Sequence, residues 1–211
     1  MAEERDTTRL EAFSDGVFAF AITLLVLDLK ITGIGSAGSD RAVLRMLTDD
    51  APAFVAFVLS FATILVMWIN HHGIMKAVRQ ADAHLLFANG FLLMVVVLVP
   101  FTTALLGDTL GHPGERVGAA VYGGTFVLVN VGYAVLWHAI AHRRAELAPE
   151  LEEDDVRTAN RNLAAGFVCY SVATVAAWWN AWATVAICTA LWGLWTWNAY
   201  QHHSHKEHEH A

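Results

Sequence analysis

The 211-residue chain is 56% apolar and only 16% charged, with a mean hydropathy of +0.44. A water-covered globular domain is therefore excluded, because too little polar surface remains to enclose so much apolar chain. The net charge of −7 owes much to one acidic stretch, Glu146 to Asp155, and no cluster of Lys or Arg points to nucleic acid.

Taken in order, the chain opens with MAEERDTTRLEAFSDG, which mixes acids and bases ahead of the first apolar run. No small-x-small cleavage site follows that run, so it is expected to stay in the mature protein. About 20 apolar residues cross a bilayer core, and the pattern predicts six spans at 10–30, 52–72, 84–106, 117–141, 161–179 and 181–200. The expected fold is all-α, a single membrane domain over 1–211 with six transmembrane helices. In the 31–51 gap, RAVLRML predicts a short surface helix. Pro100 predicts a kink in the third span. The apolar run from Asn162 to Tyr200 is too long for one crossing, so it is expected to fold back at Trp178-Trp179-Asn180-Ala181-Trp182, whose aromatics favour the interface. The tail 201–211 carries five histidines at irregular spacing, which predicts a disordered segment rather than a metal site. Cys169 and Cys188 lie inside apolar runs and read as small buried hydrophobes. Nine of the thirteen Lys and Arg residues fall on the side of the N-terminus. Both termini are therefore expected in the cytoplasm, and the chain in the plasma membrane.

The first span is unusual, because Arg9, Glu11, Ser14 and Asp15 stand where a simple anchor places apolar residues. Ionisable groups at membrane depth cost several kcal/mol and normally face the bundle interior or a water-filled path. At 100° per residue, Phe13, Gly16, Phe20, Thr23, Leu24, Leu27 and Ile31 fall within about 60° of one line, and Asp15 points about 140° away from Phe20. One face is thus a continuous apolar stripe with one hydroxyl, while Asp15 is free to reach a neighbouring helix. The second span ends Trp68-Ile-Asn70-His71-His72, which supplies an indole donor, an amide and two imidazoles near the same surface. A network of Arg9, Ser14, Asp15, Trp68, Asn70, His71 and His72 is expected to tie the two helices together.

Arg-x-x-x-Phe-Ser-Asp at 9–15, followed by GVFAFAITLLVLDL, resembles the first-helix signature of the endosomal and lysosomal potassium channel family, transmembrane protein 175. Trp-x-x-His-His at 68–72 resembles that family's second-helix signature. The resemblance implies a homotetrameric leak channel for potassium, weakly selective against sodium, with the first helix of each subunit lining a central pore. It further implies a side-chain constriction in place of a carbonyl filter, at Phe20, Thr23, Leu24 and Leu27, with Gly16 and Ile31 at the pore mouths. Phe13 joins the polar residues as scaffold. One departure is Phe20, where the family more often has Ile or Leu, and a ring of Phe narrows the neck.

Other readings carry less. Val131-Gly132-Tyr133 lacks the flanking Thr and Gly of a carbonyl filter, and its glycine reads as a packing contact alongside Gly123 and Gly124. A proton-coupled transporter using Asp15 or Asp28 is the leading alternative, followed by a haem protein using His84, His138 or His142. No nucleophile–base set, phosphate loop or zinc motif appears, so neither an enzyme nor a cofactor is expected. The expected partners are copies of the chain, membrane lipid and the permeant potassium ion.

Overall fold

The computed structural model of the chain describes residues 2–27, 29, 38–191 and 193–194. Among them the regular structure is helical: α1 (Ala2–Leu27), α2 (Asp40–Asp49), α3 (Ala51–Lys76), α4 (Ala83–Val96), α5 (Val99–Thr109), α6 (Glu115–His142), α7 (Arg144–Leu147) and α8 (Glu153–Ala176). A further apolar helix, α9, covers Ala181–Leu191.

Among the described residues four segments are long and apolar enough to cross a bilayer on their own: Thr7–Leu27, Ala51–Lys76, Ala83–Thr109 and Glu115–His142. The third is α4 and α5 taken together, broken at Val97 and Leu98. Pro100 explains the break, since it has no N–H to donate back to the preceding turn. Helices α8 and α9, which lie on the expected fifth and sixth spans, form a hairpin. Helix α8 starts in charged residues, locked by a reciprocal capping box between Glu152 and Asp155, and becomes apolar beyond Arg161. The chain turns at residues 177–180, where the Asn180 side chain accepts a hydrogen bond from Trp182 N at 2.9 Å and starts α9. Thr184 Oγ1 then donates to Ala173 O at 2.8 Å, tying α9 back onto α8. The remainder of the expected sixth span and the histidine tail lie outside the described residues.

Helix α6 is the hub, packed against α4, α5 and α8. Close approach depends on three of its glycines, and a Cβ on Gly118 would stand 3.2 Å from Leu105 O and closer still to the Thr109 side chain of α5. A Cβ on Gly132 would stand 3.1 Å from Leu92 Cα of α4, and one on Gly123 would stand 3.1 Å from Thr174 Cα of α8. Gly124 has only one neighbour, at 3.9 Å, so it is not a tight contact of this kind. A buried hydroxyl cluster joins α3, α5 and α6: Thr103 Oγ1 donates to Ser60 Oγ at 2.7 Å, and Ser60 lies 3.0 Å from Tyr122 Oη. Such pairs satisfy polar groups that lipid cannot.

Helix α1 packs against α3, α4 and α5. The expected surface helix in the 31–51 gap is α2, begun by Ser39 accepting from Ala42 N and carrying no buried residue. Both cysteines are free, Cys188 buried and Cys169 half-buried.

Candidate ion pathway and its supporting network

Two faces of α1 are chemically distinct. The buried one runs through Leu10, Ser14, Phe18, Ala21 and Leu25, at the i, i+3, i+4 spacing of a packed stripe. The opposite face carries Phe13, Gly16, Phe20, Thr23 and Leu27, all exposed in the single chain, with Leu24 half-buried beside them. Phe20 is 61% exposed and Leu27 is 64% exposed, so they stand uncovered among the described residues. Thr23 Oγ1 donates to Phe20 O at 2.8 Å. That bond spends the hydroxyl proton inside the helix and leaves the oxygen lone pairs facing outward. Ile31 lies outside the described residues, as does Asp28.

The face of α1 next to α3 and α4 is anchored by polar contacts. Trp68 Nε1 donates to Asp15 Oδ1 at 2.7 Å. The Trp68 ring stacks on His72 with centroids 5.8 Å apart, and the His71 ring lies 5.2 Å from that of Phe18. His72 Nδ1 is 2.7 Å from Glu11 Oε1, within ion-pair distance but without the alignment of a hydrogen bond.

Deeper in, a relay of donations crosses three helices. His71 Nε2 lies 2.8 Å from Asn89 Oδ1, Asn89 Nδ2 donates to Ser14 Oγ at 2.9 Å, and Ser14 donates to Leu10 O at 2.8 Å. Because the Asn89 amide nitrogen is already a donor to Ser14, its oxygen accepts, which makes His71 Nε2 the protonated ring nitrogen. His71 Nδ1 is buried with no partner among the described residues. All three side chains are buried. Each bond answers a desolvation cost of about 1–3 kcal/mol that an unpaired group would carry.

The structure thus brings together Ser14, Asp15, Trp68, His71 and His72. Two residues expected in this network do not join it. Arg9 and Asn70 are exposed and make no hydrogen bond or ion pair among the described residues. Asn70 stands about 200° round the helix from Trp68, on the wrong face to meet α1. Two other residues take part. Asn89 is a lone amide in the apolar run HLLFANGFLLM, a signal that a polar partner was needed at that depth. Glu11 is the other, one turn before Asp15.

At the end of the bundle where α3 stops and α4 begins, charged loops are clasped together. Asp82 caps α4 by accepting from Leu85 N at 2.8 Å and pairs with Arg143, which also holds Glu146. Arg79 pairs with Glu150, and its N–H donates to Leu147 O at 2.7 Å.

Comparison with known proteins bears on this geometry. Residues 9–100 match the family model described as endosomal/lysosomal potassium channel TMEM175. The chain is 40% identical over 192 residues to a potassium channel of Chamaesiphon minutus, covering 90% of this chain and 93% of that protein. It is 36% identical over 166 residues to a potassium channel of Streptomyces collinus, covering 78% and 79% respectively. Its structure resembles the crystal structure of a lysosomal potassium-selective channel TMEM175 homolog from Chamaesiphon minutus. The TM-score there is 0.81 at 38% sequence identity, over 93% of this chain and 99% of that one.

Proposed function

We infer the function from kinship, since the chain belongs to the TMEM175 family of potassium channels and is a multi-pass membrane protein rather than an enzyme. It conducts potassium passively, as a homotetramer in the plasma membrane with both termini in the cytoplasm. Four α1 helices surround the pore, and their constriction is built from Phe20, Thr23, Leu24 and Leu27, with Gly16 at a mouth.

The observation that carries this reading is the uncovered stripe on α1. A long, mostly apolar face that its own bundle leaves bare needs either lipid or other copies of itself. Its single hydroxyl, at Thr23, and the pinned polar face behind it fit a pore-lining role better than a lipid contact. Four-fold packing places identical rings of Phe20 and Leu27 around one axis. Apolar rings gate by dewetting: a slight rotation widens the neck enough for water, and with it a cation, to pass. The Thr23 oxygens offer a partly dehydrated ion a resting ring. Side chains of this kind discriminate between potassium and sodium less sharply than a rigid cage of carbonyls, so some sodium is carried as well. Potassium is the cargo, and the mechanism needs no cofactor.

The test is flux in liposomes loaded with a potassium gradient, repeated with sodium. Potassium flux that rises in proportion to driving force and exceeds sodium flux supports the reading. Saturable flux that stops when a proton gradient is dissipated would overturn it in favour of a coupled transporter.

A further inference from the structure

The charges of α1 are segregated round the helix. At 100° per residue, Glu11 and Asp15 stand about 160° and about 120° away from Arg9. Both carboxylates are turned toward α3, where Glu11 Oε1 lies 2.7 Å from His72 Nδ1 and Asp15 accepts from Trp68. Arg9 is exposed and makes no hydrogen bond or ion pair among the described residues. The two acids that follow it in α1 are thus held elsewhere, and its positive charge is left uncompensated among the described residues.

Helical period fixes where that charge points. Arg9 and Leu27 are separated by about five whole turns, so they lie on one line down α1. Phe13, Gly16 and Phe20 fall within about 40° of the same line, and all of them are exposed. Arg9 is therefore the charged end of the uncovered stripe, not a member of the polar network behind it. It stands two residues inside the apolar segment Thr7–Leu27. It is about 16–17 Å along the axis from Phe20 at 1.5 Å per residue, at the level where a bilayer core of about 30 Å gives way to water.

We propose that Arg9 forms a ring of four positive charges at the N-terminal mouth of the pore, which slows potassium entry from that end and makes currents in the two directions unequal at low salt. Such a ring presupposes the tetrameric pore inferred above. Charge at a pore mouth acts by raising or lowering the local concentration of the approaching ion. For a cation about 8 Å from each of four unit charges in water, that concentration falls about tenfold at about 20 mM salt. It falls less than about twofold at about 1 M, where charges are screened within about 3 Å. Ions leaving by the same mouth are not held back, so the two directions differ.

The experiment is single-channel recording of the full-length protein in planar bilayers of neutral lipid, in symmetric potassium chloride at about 20 mM and about 1 M. At the lower concentration the unsubstituted channel should pass several-fold less current in one direction at equal and opposite voltages. The asymmetry should fade at the higher one. Arg9→Gln should raise the smaller current about three- to tenfold at about 20 mM and leave currents at about 1 M within about twofold. Arg9→Lys keeps the charge and should behave as the unsubstituted protein. Ala12 is exposed one turn further on, so Ala12→Glu sets a carboxylate beside an intact Arg9 and should act like Arg9→Gln. It decides the matter if Arg9→Gln does not fold. Equal effects of Arg9→Gln at both salt concentrations would give Arg9 a structural role and overturn the proposal. So would unchanged currents in both neutralising variants, the result expected if Arg9 faced lipid phosphate. An unsubstituted protein silent at every salt concentration would overturn the channel reading, and the charged mouth with it.

Discussion

The indole N–H of Trp68 on α3 donates to a carboxylate oxygen of Asp15 on α1 across 2.7 Å. Asp15 and Phe20 are about 140° apart round α1. The bond that holds Asp15 against α3 therefore turns Phe20 and Leu27 away from the bundle. Trp68→Phe keeps a ring to stack on His72 and removes only the donor. A hydrogen bond to a charged group contributes about 1.5–3 kcal/mol, so the variant should unfold at a distinctly lower temperature in detergent. An unchanged melting temperature would show that this bond does not hold α1 in its rotation.

The proposed neck is open to a direct change of wetting. Leu27→Asn replaces an apolar ring with amides that hold water, so potassium flux into liposomes should rise several-fold while the fold persists. Phe20→Ala should act in the same direction by widening the ring. Flux equal to the unsubstituted protein in both variants would remove the constriction from this face of α1.

Packing at α6 predicts a contrast between two glycines. A Cβ on Gly132 would press on Leu92 Cα at 3.1 Å, whereas one on Gly90 meets nothing within 4 Å. Gly132→Ala should cost about 1–3 kcal/mol through overpacking of the α4–α6 contact. Gly90→Ala should be neutral or stabilising by up to about 1 kcal/mol, since alanine loses less freedom in a helix. Thermal unfolding of the two variants side by side reads the difference, and equal effects would contradict the close α4–α6 approach.

Asp82 lies outside the membrane-spanning helices and gives a pH signature. The hydrogen bond from Leu85 N–H holds its carboxyl below the usual 3.8, partial burial opposes that, and Arg143 adds to it. A lowered folded-state pKa means its stabilising contribution is complete above the unfolded value and fades as pH falls through the folded one. Asp82→Ala should therefore cost about 1 kcal/mol near neutral pH. The gap in melting temperature between the two proteins should close only below about pH 4. A gap that persists at lower pH would assign the effect to helix propensity instead of the charged cap.

Several features of the chain were legible from sequence because they depend on residues acting alone or on helical period. Hydropathy is a property of each side chain, so the apolar spans and the fold-back near Asn180 follow from it. The stripe on α1 follows from 100° per residue, and the Arg-x-x-x-Phe-Ser-Asp and Trp-x-x-His-His spacings mark the family. The helix break after Val96 was announced by Pro100. Partnership is different, because it depends on which helices lie side by side and how each is rotated. Asn89 meets Ser14 across 75 residues of chain only because α4 packs beside α1. Arg9 and Asn70 have the right chemistry for the same network, but helical rotation carries Asn70 away from it, and Arg9 stands exposed outside it. Sequence decided what each segment must bury, and tertiary packing decided which groups were left to pair.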